Sequence, residues 1–392
     1  MGNRLERNFL ATFNHTADYI FSAPGRIELG GNHTDHQHGI VLAASVNLNT
    51  QAAVSVNGMN SIRLVSEGYP PCEILLSDLE KRNDECGTTA ALIRGIAAGF
   101  SSRGASLQGF DAYVTTSVIP GGGLSSSAAF EVLIGSIINR LFCEEAYTPL
   151  DIALIGKYAE NVYYGKPSGL MDQMACAYGG ILEIDFNNVE KPIITPVDFD
   201  FNTCGYNLCI IDTGADHQGL TDEYSAITDE LASVCRIFGK QWLREIPEET
   251  FFENVTEIKR FVGDRAILRA IHVYEENKRV INEKNALISG DFNSYLRNVR
   301  ASGASSWQYM QNVIPCGRYQ HQEMAATIAL VSHLLGNKGA CRIQGGGFAG
   351  TIQAYVPEND WETFINEMNK YYGYNKLTRV SICSFEKRII PL

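Results

Sequence analysis

The sequence predicts an α/β or α+β chain of two domains, and three observations carry that prediction. Its 392 residues exceed the roughly 250 to 300 at which single hydrophobic cores stop growing. The first half alternates β-branched runs with glycine turns and helical stretches, and the second half is mainly helical to about residue 336. A run of three glycines lies between a strand-like and a helix-like segment.

In chain order, QAAVSVNG (51–58) and SIRLVSEG (61–68) alternate partially with period two across a glycine-bearing turn, which predicts a hairpin. FDAYVTTSVIP (110–120) predicts a strand ending at Pro120. Leu133, Ile134, Ile137, Ile138 and Leu141 follow at helical spacing, and DIALIGKYAENVYYG (151–165) predicts a second helix. Strands are expected at GILEIDF and YNLCIIDTG, with a domain boundary near residue 200, giving domains 1–200 and 201–392. CRIQGGGFAGTIQAYVP reads as a glycine turn leading into a strand, and RVSICSF as a last strand.

A hydrophobic content of 45% supports a sizeable core. The formal charge of −12 argues against nucleic acid or an anionic membrane as partner, because both ask for a basic surface. Ten scattered cysteines without a C-x-x-C pair fit reduced thiols. The N-terminus has no apolar signal segment, and no run approaches the roughly 20 apolar residues of a membrane span, so a cytoplasmic protein is expected, a monomer or weak homo-oligomer.

The stretch PGGGLSSSAA (120–129) carries the chemistry. Gly121, Gly122 and Gly123 let backbone approach a ligand closely, and a helix start leaves N–H groups that suit phosphate. Leu124 follows, and Ser125, Ser126 and Ser127 add hydroxyls for phosphate or Mg²⁺. Neither the P-loop lysine motif nor the Rossmann glycine spacing is present. A second cluster, APGRIELGGNHTDHQHG (23–39), has the residue types of a metal site, but the spacing of His33, His36 and His38 fits no common zinc pattern.

IPGGGLSSSAA resembles the phosphate-loop motif of the GHMP kinases. GRIELGGNHTDH is similar to the galactokinase motif G-R-x-N-L-I-G-E-H-T-D-Y, KPSGLMDQMACAYGG to the galactokinase G-I-M-D-Q stretch, and CRIQGGGFAGTIQAYV to the C-terminal glycine motif of the superfamily. The four matches lie in family order over residues 23–356. The resemblance implies the two-domain α+β GHMP kinase architecture with its active site in the cleft between domains. It implies ATP-dependent phosphorylation of the anomeric hydroxyl of galactose, with ATP and Mg²⁺ as cofactors and a small-molecule sugar as partner. A uronic acid 1-kinase (galacturonate or glucuronate) is the alternative, and a non-catalytic galactose and ATP sensor a second one, against which the intact loop, Arg26 and Asp172 speak.

By the same resemblance Asp172 stands beside the anomeric hydroxyl, with Arg26 close to it and to the transferring phosphate. An aspartate paired with arginine is ionised and able to accept a proton. The resemblance assigns Mg²⁺ to Ser127 and Glu160, and sugar contacts to Asn32, His33, Asp35, Gly169 and Tyr224 beside Arg26 and Asp172. Four positions depart from the family motif: Glu28 for Asn, Gly30 for Ile, Asn32 for Glu and His36 for Tyr. The third bears on substrate. Two like charges about 4 Å apart at a dielectric near 20 repel by roughly 4 kcal/mol, so a glutamate would exclude a C6 carboxylate where Asn32 would not.

Overall fold

The computed structural model describes residues 4–119, 121–216, 218–373, 376–383 and 389–392. Helix α1 (Arg4–Phe13) leads into β1 (Tyr19–Gly30) and the seventeen-residue β2 (Ile40–Val56). β3 (Ser61–Ser66) and β4 (Cys72–Leu75) precede α2 (Thr89–Ser101) and β5 (Phe110–Thr116). Then come α3 (Ser126–Phe142), α4 (Pro149–Tyr158) with a π-helical turn over Ala159–Tyr164, and α5 (Met171–Tyr178). α4 starts where its sequence says it should: Thr148 and Asp151 form a reciprocal capping box, and Pro149 occupies the first turn. β6 (Ile181–Asp185) and β7 (Ile193–Val197) follow.

β8 (Tyr206–Asp212) is followed by α6 (Thr221–Ile237), α7 (Glu248–Glu253), α8 (Val255–Phe261), α9 (Asp264–Ile288), α10 (Phe292–Ser305) and α11 (Glu323–Leu335). β9 (Ala340–Gln344), β10 (Thr351–Pro357), α12 (Trp361–Tyr372), β11 (Leu377–Val380) and β12 (Ile389–Pro391) complete the described chain.

The strands form two sheets. The larger runs β12-β1-β2-β5-β3-β4, with β6 on β2 and β7 on β6, and the smaller runs β11-β8-β10-β9. β2 is the spine of the larger one. Its first residues, Ile40–Ala44, pair with β6, and its last, Thr50–Val56, pair with β5, while β1 follows it on the other side. The register of β1 against β2 shifts twice, between Pro24 and Arg26 and between Glu28 and Gly30. Such bulges re-aim side chains, and here they bracket Arg26.

The hairpin expected from residues 51–68 does not form. β5 lies between the two runs, antiparallel to β2 and parallel to β3. The turn residues are tied to the incoming strand as well as to each other: Asn57 N–H donates to Gly109 O, Gly109 N–H to Met59 O, and the Asn57 amide to Asp111. A parallel pair needs a crossover, which α2 supplies. The 110–120 strand is present as Phe110–Thr116, with Pro120 outside the described residues. The glycine turn near 345 has strands on both sides, and near RVSICSF a short strand and an isolated Val46–Ile382 bridge occur.

The main core lies between the large sheet and α2–α5, and it continues through Val280, Leu287, Phe292, Tyr295 and Leu296 of α9 and α10. A second cluster joins α6 to α9, and a third lies among β8–β10, α11 and α12.

One contact in this packing explains a departure from the family motif. Gly30 has the Glu283 carboxyl of α9 against it, so that a Cβ there would stand 1.8 Å from Glu283 Oε2. Burial pushes the Glu283 carboxyl well above the usual range, which makes it a neutral filler. Gly30→Ala is therefore expected to destabilise the protein by about 1–3 kcal/mol through overpacking. Gly30→Ala combined with Glu283→Ala should recover part of that loss in a double-mutant cycle read by chemical denaturation.

Candidate functional site

Arg26 and Asp172 meet at the centre. Arg26 Nε donates to Asp172 Oδ1 at 2.7 Å and Nη2 to Oδ2 at 2.8 Å, a bidentate pair. Arg26 comes from the bulged part of β1 and Asp172 from the first turn of α5. Ser125 Oγ donates to Asp172 Oδ2 at 2.7 Å. Burial would push the Asp172 carboxyl up, but Arg26, with help from Ser125 and Lys166, holds it below the usual range. Its side chain keeps 28% of its surface accessible, so an ionised carboxylate faces the open side.

The phosphate loop is fastened by its carbonyls. Arg26 N–H donates to Leu124 O at 3.0 Å and Arg26 Nη1 to Gly123 O. From the second sheet Gln344 Nε2 donates to Gly123 O and Thr351 Oγ1 to Gly122 O, both at 2.9 Å. Gly123 adopts φ +66°, and a Cβ there would stand 2.7 Å from Thr351 Oγ1. Ser125, also left-handed at φ 56°, caps α3 ahead of Ser126 and Ser127. With its carbonyls engaged on one side, the loop ends in helix N–H groups that lack intrahelical acceptors, which is the anion-binding end of a helix.

Ser127 Oγ donates to Glu160 Oε1 at 3.1 Å, so these two residues are brought together. The Glu160 carboxylate, in the π-helical turn after α4, also accepts from Lys166 Nζ (2.8 Å), Ser168 Oγ (2.6 Å) and Gln173 Nε2 (3.0 Å). Gln173 spans from Glu160 to Glu131, whose carboxyl burial pushes well above the usual range.

The loop 31–38 is joined to the second half by a row of glycine carbonyls. Asn32 Nδ2 donates to Gly345 O (2.8 Å), His33 Nε2 to Gly346 O (2.9 Å) and Tyr224 OH to Gly347 O (2.7 Å). Asn312 Nδ2 donates to Asn32 Oδ1 at 3.0 Å, and the other Asn32 donor goes to Glu28 Oε1 at 3.1 Å. Glu28 is in turn paired with the fully buried Arg342. Burial pushes the His33 imidazole down to about 3, so it is neutral. With its Nε2–H on Gly346, its Nδ1 accepts from His36 Nε2–H at 3.1 Å. His38 points elsewhere and stacks on Trp242 at 4.3 Å. Asp35 Oδ1 accepts from the His36 N–H, and its Oδ2 lies against Gly169, where a Cβ would stand 1.7 Å away.

The geometry therefore holds a carboxylate–arginine pair beside an anion-binding helix start, with a polar loop on its flank. Two family models match: the galactokinase galactose-binding signature over residues 7–56 and the GHMP kinases N terminal domain over residues 91–180. The galactokinase of Lacticaseibacillus paracasei is 31% identical over 380 residues, 93% of this chain and 92% of that protein. The chain belongs to the galactokinase family. As a member it is a sugar kinase that transfers a phosphoryl group from ATP to an alcohol group. The galactokinase of Lacticaseibacillus casei is 30% identical over 377 residues, with the same coverage of both chains. Among solved structures, Lactococcus lactis galactokinase complexed with galactose superposes with a TM-score of 0.84 at 25% identity over 98% of both chains. The mevalonate kinase of L. major gives 0.63 at 15% identity over 94% and 97%, a likeness of fold.

Several residues around the site of this galactokinase-family chain escape motif reading. Lys166 and Ser168 stand in the quoted KPSGLMDQ run, and Gln344 and Thr351 in the quoted CRIQGGGFAGTIQAYV run, but the motifs give them no role. Asn312 has no sequence signal at all. Gly169→Ala should displace the Asp35 carboxylate and raise the KM for sugar at least about tenfold while the KM for ATP stays within about twofold. Steady-state kinetics with each substrate varied in turn checks this.

Proposed function

We propose that this protein phosphorylates the anomeric hydroxyl of galactose, and the observation that carries the reading is the Arg26–Asp172–Ser125 constellation at the start of the phosphate-loop helix. The bond from the sugar O1 to the γ-phosphorus forms, the bond from that phosphorus to the ADP oxygen breaks, and the O1 proton passes to Asp172. An Asp172 carboxyl held below the ordinary carboxylate range is too weak a base to strip an alcohol beforehand. The proton thus leaves O1 as the bond to phosphorus forms, which a loose transition state permits, with positioning and charge supplying most of the rate. Arg26 fixes the carboxylate and offers positive charge beside the transferring group.

The residues present fit Mg²⁺. Ser127 Oγ and Glu160 Oε1 offer two hard oxygens side by side where α3 begins, the one or two protein ligands that Mg²⁺ normally takes. When bound there, the ion would neutralise the β- and γ-phosphates.

Asn32 favours galactose over a uronate. Both of its amide N–H groups are taken, by Glu28 and Gly345, so it keeps no donor for a C6 carboxylate. Its backbone N–H faces the ionised Glu276 carboxylate at 3.3 Å.

A coupled ADP-release assay with galactose, galacturonate, glucuronate, N-acetylgalactosamine and arabinose tests the substrate: galactose should give the highest kcat/KM, and a uronate ahead of it would overturn this reading. Asp172→Asn should lower kcat by about 10²–10⁴-fold, the usual loss of a general base. A variant with near-normal turnover would remove Asp172 from the chemistry.

A further inference from the structure

The transfer site gathers more negative charge than Arg26 can balance. Glu160 and Asp172 flank the phosphate loop, and ATP brings several further charges. Arg26 is already committed: Nε and Nη2 hold Asp172, Nη1 holds Gly123 O, and its side chain is buried. A second cation stands nearby.

Lys166 comes from the KPSGLMDQ run between the π-helical turn and α5. Its backbone is anchored, with the N–H donating to Glu160 O at 3.1 Å and Pro167 following. Its side chain is not anchored: 55% of its surface is accessible, and the one bond its ammonium makes among the described residues goes to Glu160 Oε1 at 2.8 Å. That same oxygen accepts from Ser127 Oγ, so the ammonium and the first turn of α3 share one acceptor. The charge of Lys166 also reaches Asp172. An ammonium has three donors, so at least two are left for a ligand.

We propose that Lys166 is a phosphate ligand of the transfer reaction: when ATP occupies the loop, its ammonium exchanges Glu160 Oε1 for an oxygen of the γ-phosphoryl group, and Glu160 Oε1 becomes available as a hard-oxygen ligand. The inference rests on the kinase reading above. Lys166 gives up no proton. It contributes hydrogen bonds and positive charge to a group whose negative charge spreads over its terminal oxygens during transfer. The swing is local, since the backbone at Lys166 stays tied to Glu160 and only the side chain moves.

The test uses the full-length protein with Mg²⁺ and compares Lys166→Met and Lys166→Arg with the wild type. Wild-type turnover of ATP and galactose is measured first; its absence would defeat the kinase reading and leave the nucleotide-binding arm to judge Lys166 separately. Lys166→Met should lower kcat by about 10²–10³-fold, as loss of one preorganised donor does, with the KM for sugar within about twofold of wild type. Calorimetry gives the second readout: the variant should bind the β,γ-imido analogue of ATP at least about tenfold more weakly and ADP within about twofold of wild type. Lys166→Arg keeps the charge and should restore at least part of both. The proposal is overturned if Lys166→Met keeps kcat within about threefold of wild type and half-saturates at lower Mg²⁺, since Lys166 would then serve only as the counter-ion of Glu160. Equal losses for ADP and the imido analogue would also overturn it, by removing the ammonium from the γ position. If Lys166→Met fails to fold, Lys166→Arg with wild-type melting and unimproved binding of the imido analogue over ADP decides against it in the same way.

Discussion

The bidentate bond between Arg26 and Asp172 is the constraint on which the rest of the site depends. It spans three elements that are distant in sequence: a bulged strand, the start of α5 and, through Ser125 and the Gly123 carbonyl, the phosphate loop. A buried guanidinium and a largely buried carboxylate each cost much free energy alone, and the pair is tolerable because both are multiply hydrogen-bonded. The same bond that makes burial possible also sets the chemistry. It keeps the carboxylate ionised and aimed, and under the proposed function it makes that carboxylate a weak base that would take its proton during transfer and not before it.

The second half of the chain does more than cover this centre. The turn at Gly345–Gly347 supplies three carbonyls in succession to Asn32, His33 and Tyr224, while Gln344 and Thr351 on either side grip the phosphate loop. One glycine turn therefore sets the position of both loops. Behind it, Glu28, Arg342, Glu276 and Asn312 form a buried polar network that the Asn32 amide completes. Burial pushes the Glu28 carboxyl to about 7 against the pull of Arg342, Arg26 and Asn32.

Much of this was legible in the sequence, and for a physical reason. The glycine run, the three serines, Arg26 and Asp172 lie in contiguous stretches whose residue types are demanded by close backbone approach and by charge, so local pattern is enough. Asp35 and Gly169 were legible only as separate motif positions. That the glycine exists to admit the aspartate is a contact across more than a hundred residues, which no periodicity reports. The order of β2, β5 and β3 failed for the same reason: short-range alternation predicts neighbours in sequence, whereas Asp111 and Gly109 capture the turn from a distance. Asn32 was legible from its place in the motif, whereas the bonds of its amide to Glu28 and Gly345 were not. Gly30 looked like an unexplained departure until Glu283 was found filling its place.

The strand that carries Arg26 is also the one sealed by β12, where Tyr19–Phe21 pair with Ile389–Pro391 and Leu392 N–H reaches Asp18 O. During translation the outer edge of β1 has no such neighbour until almost every other strand of both sheets has left the ribosome. An open edge is a template for unwanted strand pairing, and without β12 the strand that carries Arg26 would be flanked by β2 alone. The short β12 thereby closes an edge of β1 that no described strand nearer to it in sequence covers.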